Sequence, residues 1–239
     1  MKQKYAIVHY DEIALKGGNR PLFEKALARN IRQVLGESAV SVKRGHGQHI
    51  VEIAPGKEEE VEKKLEKIPG IAFFSIAVET GREKQDIFKT AVELMKQEPP
   101  GTFKVDTKRH DKQYPIKSPE LNALVGEKVI EETGRKAEMR EPDVMLTVEI
   151  SPKHAFISTK KIKGVGGLPV GTAGKMLSLI SGGIDSPVAS YLMMKRGARM
   201  VFVHFHNKTQ ERESVKDKIE RLVKILSAYQ GKSKLYIIP

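Results

Sequence analysis

The sequence contains no cysteine and no tryptophan, and aromatic residues make up only 6% of it. The first absence excludes disulfides, thiolate metal sites and a cysteine nucleophile within these residues. Nor does any window approach the roughly eighteen consecutive apolar residues of a membrane-spanning helix. The start, Met1-Lys2-Gln3-Lys4, leads straight into a strand-like segment and lacks the apolar core of a signal peptide. A cytoplasmic protein with no membrane partner is therefore expected. What is present, 39% hydrophobic residues among 239, suffices for one large or roughly two to three small globular domains.

Acidic residues are outnumbered by basic ones, 30 against 42, and the formal net charge is +12. The imbalance is local. Residues 1–55 carry nine Lys/Arg against five Asp/Glu, residues 56–160 nineteen against twenty, and residues 161–239 fourteen against five. Basic ends around a neutral middle fit a nucleic-acid partner, although a Lys/Glu-rich surface of a heat-adapted protein gives similar composition.

Hydrophobic periodicity organises the chain. Residues 5–10 read as a strand, and Asn19-Arg20-Pro21 opens a helix whose apolar face is Phe23, Leu27, Ile31 and Val34. Strands at 40–42 and 49–53 flank the turn Arg44-Gly45-His46-Gly47. After Pro55-Gly56 the pattern predicts a charged helix at 57–67, a strand at 72–78, a helix at 84–96 and a strand at 103–108. Ser118-Pro119-Glu120 reads as a helix start, with serine as the cap and Leu121, Leu124, Val125 and Val129 facing inward. Two alternating strands at 144–150 and 154–158 form a hairpin. Residues 160–175, rich in glycine and lysine, have no periodicity and mark a boundary. Beyond them strands at 176–180, 200–204 and 234–238 alternate with helices, the pattern of a parallel α/β sheet. Three strands fall short of the five or so of a doubly wound sheet, so the chain is expected to be part of a longer protein.

The segment with the most chemistry is Ser181-Gly182-Gly183-Ile184-Asp185-Ser186, between an apolar strand and a helix that opens at Pro187. Paired glycines let the backbone approach an anion closely, and the helix behind adds its positive N-terminal end. No Gly-Lys-Ser/Thr follows, so this is not a Walker A loop. Asp185 stands where that loop would place a cation. A carboxylate beside a polyphosphate is repulsive unless a divalent cation lies between them, so Asp185 is a candidate to help hold Mg²⁺, or else a helix cap.

Ser181–Ser186 resembles the PP-loop of the ATP pyrophosphatases. With Gly166-Gly167-Leu168-Pro169-Val170-Gly171 before it and Pro187-Val188-Ala189 after it, the region resembles the tRNA 4-thiouridine synthetase (ThiI) family. Upstream, Thr102–Lys112, Ser118-Pro119-Glu120-Leu121, Gly126, Pro142-Asp143 and Val148-Glu149-Ile150 resemble that family's THUMP domain, an RNA-binding module. Asp11–Arg20 with Phe23 is similar to its N-terminal ferredoxin-like domain, although Asp11 stands where glycine is usual. The resemblance thus implies an α/β and α+β multidomain chain. Residues 1–55 would be the ferredoxin-like domain, 56–160 the THUMP domain and 161–174 a linker. Residues 175–239 would begin a parallel-sheet PP-loop, or adenine nucleotide alpha hydrolase-like, domain.

The same resemblance implies a function: adenylation of uridine 8 of tRNA by ATP with Mg²⁺, then sulfur transfer from a cysteine desulfurase to give 4-thiouridine. The family is also linked to the thiazole of thiamine. Nucleotide contacts are expected from Leu179, Ile180, Ser181, Gly182, Gly183, Ile184, Asp185, Ser186, His204 and Phe205, with Asp185 the catalytic candidate. Phe205 and aliphatic side chains suit the face of adenine. No protein-bound metal centre is expected, since His204 and His206 at i and i+2 lack further ligands. For RNA, specifically the tRNA acceptor end, the candidates are Lys104, Lys108, Arg109, Lys112, Tyr114 and Lys117, cations interleaved with a ring, and Lys16 and Arg20 beside a glycine turn. A solvated charged turn is the alternative for the first group, a capped turn for the second. A homodimer is expected, one subunit holding the tRNA end for the other. The family's sulfur-carrying cysteine and a late nucleotide-binding lysine have no counterpart in these residues. Two other readings stay open: a tRNA-binding adaptor without turnover, and a PP-loop synthetase or amidotransferase acting on a small molecule.

Overall fold

The computed structural model describes residues 2–45, 47–205 and 213–238. In chain order the elements are β1 (Lys4–His9), a 3₁₀ segment Glu12–Asn19, α1 (Arg20–Leu35), β2 (Ala39–Arg44), β3 (Gln48–Ile53), α2 (Glu58–Leu65), β4 (Phe73–Thr80), α3 (Lys84–Gln97), β5 (Phe103–Arg109), α4 (Ser118–Thr133), β6 (Val144–Ile150), β7 (Ala155–Ser158), β8 (Ile162–Lys163), β9 (Lys175–Leu179), α5 (Asp185–Lys195), β10 (Arg199–Phe205), α6 (Glu213–Gln230) and β11 (Leu235–Ile238). His46 and His206 lie outside the described residues.

Contacts gather these elements into two compact units that do not follow the four consecutive segments expected from sequence. One holds the chain up to Ile7, Val51–Glu58 and Ser75–Ile162; the other holds Val8–Ile50, Glu59–Phe74 and the chain from Lys163 onward. Strands β1, β3 and β4 each pass from one unit to the other.

In the first unit, β5 lies parallel to β6 with Phe103 opposite Val144 and Arg109 opposite Ile150. The expected hairpin is present, β6 running antiparallel to β7 with Glu149 opposite Phe156, and β7 in turn pairs with β4. Helices α3 and α4 bury Ile87, Ala91, Met95, Leu121, Val125 and Val129 against Phe103, Leu146 and Val148. Each of these side chains larger than alanine contributes about 1.5–3 kcal/mol of burial free energy. The cap of α4 is Lys117 in extended conformation, and Ser118 is already helical, so the helix begins one position earlier than the sequence suggests. Proline occupies the first turn, where its missing N–H costs nothing.

In the second unit, α1 also opens with proline in its first turn and buries Leu27, Ile31 and Leu35. The inward stripe thus ends on Leu35, four residues past Ile31, in place of Val34. The three-stranded sheet has the order β11-β10-β9, all parallel, with Val203 opposite Leu179 and Phe202 opposite Leu235. Its core is Val170, Ile180, Met194, Ala198, Met200, Phe202, Ile219, Val223 and Leu226, so α5 and α6 share one packed layer. The buried Gln230 amide completes the sheet by donating to Met200 O at 3.0 Å and accepting from Met200 N–H at 2.9 Å.

Residues 161–174 are not a free tether. Gly164 N–H donates to Ala72 O at 2.9 Å, Gly166 N–H to Ile71 O at 2.7 Å, Leu168 N–H to Lys195 O at 2.9 Å and Gly171 N–H to Gly197 O at 2.7 Å. A Cβ on Gly167, whose φ is +79°, would lie 2.2 Å from Lys195 O. The glycines of the segment 166–171 therefore serve close backbone approach. Asn30 adds a side-chain bond to Val170 O at 3.0 Å.

Candidate nucleotide site and nucleic-acid surface

Strand β9 delivers Ile180, whose N–H donates to Val203 O at 2.8 Å, to the carboxyl end of the parallel sheet, where such sheets bind ligands. From there the loop turns through exposed Ser181, Gly183 and Ile184 into α5. A chain of serines shapes it. Ser181 N–H donates to Ser186 Oγ at 2.9 Å, and Gly183 N–H reaches Ser181 Oγ at 3.4 Å. Ser190 Oγ donates to Ser186 O and pairs with Ser178 Oγ, both at 2.7 Å.

Two features separate this loop from a merely structural turn. Neither Gly182 nor Gly183 adopts a positive φ. A Cβ on Gly183 would meet only Ser181 Oγ, at 3.5 Å, and one on Gly182 only the side chain of Lys218. The backbone does not require glycine at either position, so the conformational freedom expected from sequence is not what these residues supply; they supply open space. Second, Asp185 does not cap the helix: Ile184 occupies the cap position, with no side-chain cap bond. The exposed Asp185 carboxylate makes no hydrogen bond or ion pair among the described residues, while the first-turn N–H groups of α5 lack intrahelical acceptors.

The remaining nucleotide candidates converge on the same strand ends. His204 Nδ1 lies 2.9 Å from Ile180 O, so the backbone of Ile180 is committed on both sides. The carbonyl keeps a second lone pair with which it can still accept from a base edge. Phe205, 63% exposed, and Leu179, 61% exposed, are the apolar surfaces available there. Among the described residues no group of three or more His, Cys, Asp or Glu could hold a metal ion. A Mg²⁺ held by one carboxylate and phosphate oxygens needs no such group, and Asp185 fits that role.

The RNA candidates divide. In the first unit Lys104 and Lys108 alternate with buried Phe103, Val105 and Thr107 and so share the other face of β5, while Lys112 and Lys117 are exposed. Lys104 Nζ donates to Met139 O at 3.0 Å. Arg109 is occupied as a clamp on the following loop, donating to Tyr114 O at 3.0 Å and Ile116 O at 3.1 Å. Tyr114 does not present a stacking face. It is 6% exposed within the core, its hydroxyl donates to Arg82 O at 2.8 Å, and the Arg82 guanidinium lies 5.4 Å from its ring centre. Burial pushes its hydroxyl above the usual tyrosine pKa.

Lys16 and Arg20 belong to the other unit. Lys16 sits 5.1 Å over the Phe23 ring. Arg20 donates to Glu24 Oε1 and to the Tyr10 hydroxyl, both at 2.9 Å, and Tyr10 also donates to Glu24. Burial works against the Glu24 charge, but these bonds hold its carboxyl below the ordinary range. Arg20 is thereby bound into a structural triad.

Sequence reasoning passed over two residues. Arg82 lines a cleft of about 600 Å³ with Asp111, Gln113, Tyr114 and Ile116, bonding Asp111 Oδ2 at 2.6 Å. A lone arginine in a turn gives no signal of this. Lys218 reaches the glycine loop from α6, on which it reads as one of several solvated charges.

Comparison with known proteins places these elements. Residues 5–75 match the model of the ThiI ferredoxin-like domain, 81–160 that of the THUMP domain and 171–239 that of the thiamine biosynthesis protein ThiI. The first match runs past the boundary expected at residue 55. A probable tRNA sulfurtransferase of Thermoanaerobacter sp. (strain X514) is 43% identical over 99% of this chain and 62% of its own length. Another, of Brevibacillus brevis, is 37% identical over 100% of this chain and 61% of its own length. The chain thus spans about three-fifths of these relatives. Among solved structures, a 4-thiouridine synthetase in complex with RNA and ATP aligns with a TM-score of 0.85 at 34% identity, over 99% of this chain and 62% of that one. The protein PH1313 from Pyrococcus horikoshii aligns at 0.87 and 29% identity, over 97% and 78%. With a ferredoxin-like segment, a THUMP segment and a glycine loop at the end of a parallel strand, matched in succession from residue 5 to residue 239, the chain belongs to the ThiI family.

Proposed function

We propose that the protein is a tRNA sulfurtransferase of the adenylating type, acting on uridine 8 to form 4-thiouridine. The C4 oxygen of the uracil attacks the α-phosphorus of ATP, the bond to the β-phosphate oxygen breaks, and pyrophosphate leaves. Sulfur then adds at C4 and AMP departs with the oxygen. The observation that carries this reading is the loop whose glycines leave space the fold itself does not need. The sulfurtransferase names of the relatives, and the ATP and RNA held by the structural neighbour, support it.

At the loop the protein's contribution is to position the triphosphate and neutralise the leaving pyrophosphate. Asp185 would share a Mg²⁺ with the phosphates. Phe205 and Leu179 would cover the base. Lys112 and Lys117 would take phosphates of the tRNA acceptor end, with Lys104 and Lys108 on the neighbouring strand face. Sulfur would come as sulfide, or as a persulfide from a cysteine desulfurase whose outer sulfur bonds to C4 and is then freed when a second thiol, supplied from outside these cysteine-free residues, attacks the S–S bond and leaves a disulfide. A homodimer in which one subunit holds the tRNA end for the other, and a contribution to thiamine biosynthesis, belong to the same proposal.

Calorimetric titration with Mg·ATP and with tRNA separately, followed by pyrophosphate release with both, tests it. The enzyme reading requires both ligands to bind and release to depend on tRNA. Binding of Mg·ATP alone would point to a small-molecule synthetase, and of tRNA alone to an adaptor; either overturns the proposal.

A further inference from the structure

The glycine loop brings no lysine of its own, and its first acidic neighbour, Asp185, adds negative charge where a triphosphate would bring more. A cation from elsewhere in the fold stands beside it. A Cβ built on Gly182 would lie 3.5 Å from Lys218 Cδ, 3.7 Å from Cε and 3.7 Å from Nζ. The lysine stem therefore runs along the open face of Gly182 and ends with its ammonium over the loop.

The position of this lysine is set by the core. Its neighbour Ile219 is fully buried and, with Val223 and Leu226, anchors α6 in the layer that also holds Ile180 and Met194. The side chain of residue 218 leaves the helix at the margin of that buried stripe, exposed to solvent on the loop side. Among the described residues Lys218 makes no hydrogen bond or ion pair, so its three donors are uncommitted. Gly182 has no positive φ, and a methyl group there would make only ordinary contact with the lysine stem, whereas a larger side chain would displace it.

We infer that Lys218 is a phosphate ligand of the site, holding the pyrophosphate half of the nucleotide against the Ser181–Ser186 loop. This rests on the nucleotide reading of the loop. In the space between α5 and α6, where a bound nucleotide displaces water, such an ammonium strengthens binding and neutralises the pyrophosphate as it leaves. A compact ammonium suits this role, since it binds phosphate as a point charge and needs no planar geometry. The ligand class is a nucleoside triphosphate or inorganic pyrophosphate, and a nucleoside monophosphate lies outside its reach.

The test measures dissociation constants of Mg·ATP, Mg·pyrophosphate and AMP for the protein and for its Lys218→Ala, Lys218→Arg and Ser186→Ala variants. Lys218→Ala is expected to weaken ATP and pyrophosphate about tenfold or more, the loss of one charge-assisted hydrogen bond, with AMP unchanged and Lys218→Arg retaining most of the affinity. Since the side chain is exposed, the thermal midpoint should not move. ATP bound by Lys218→Ala as tightly as by the parent, while Ser186→Ala loses it, would overturn the inference and leave the loop assignment standing. Equal weakening of ATP and AMP would overturn the assignment to the pyrophosphate half. A parent protein that binds neither ATP nor pyrophosphate would overturn both.

Discussion

Gly183 distinguishes a cradle from a turn at the cost of one methyl group. Its φ is one that alanine adopts freely, and the nearest atom to an added Cβ is 3.5 Å away. Gly183→Ala should leave the thermal midpoint unchanged and weaken Mg·ATP about tenfold, because the methyl occupies the approach of a phosphate to backbone N–H groups. A turn that served only the fold would show the reverse, a lowered midpoint and no binding effect; differential scanning fluorimetry and calorimetry on one variant decide. The loop and Asp185 were legible in the sequence because phosphate chemistry confines residue types to a few adjacent positions. Lys218 was not, because its relation to Gly182 arises only when two helices pack. Tyr114 illustrates the opposite failure: rings between cations suggest stacking, but here the hydroxyl finds the Arg82 carbonyl and the ring is absorbed into the core.

Periodic elements were read well. The strand at 144–150 has the predicted bounds, and the helices after Asn19 and from residue 84 differ at most at their ends. What periodicity left open lies where hydrogen bonds reach across the chain rather than along it. The 3₁₀ segment Glu12–Asn19 is interrupted at Gly17, whose φ of 50° and ψ of −129° break any helical pattern. Residues 161–174 look like a tether because Gly-rich sequence has no period, yet successive N–H groups are paired with carbonyls of residues 71–72 and 195–197. Gly167→Ala should therefore act as a core mutation. The left-handed backbone alone costs about 1–3 kcal/mol, and the clash with Lys195 O adds to it. A fall of the denaturant midpoint of at least this size, with the slope unchanged, is expected in urea unfolding.

Over the whole molecule, the charge of +12 was legible as a count, while the grouping into two units was not, because it depends on strands that each serve both. Titration gives a molecular-scale prediction. Burial, with the Tyr5 hydroxyl donating a hydrogen bond to the Glu79 carboxylate, pushes that hydroxyl from 10.0 to about 12, and burial raises Tyr10 and Tyr114 in the same direction. The folded state thus holds protons that the unfolded chain releases above pH 10. The associated stability is complete below that pH and is lost as pH rises toward 12, so unfolding free energies measured by urea titration should decline across this window. Tyrosinate absorbance should lag that of free tyrosine, and Tyr5→Phe should flatten the decline. Strand β9 carries a different consequence. It ends the three-stranded sheet, with Leu177 63% exposed beside Leu179, so its outer backbone groups and apolar side chains form a template for a foreign strand. For these 239 residues taken alone in concentrated solution, this edge and that of β11, with Tyr236 51% exposed, are where edge-to-edge aggregation would begin, and Leu177→Lys would blunt the first.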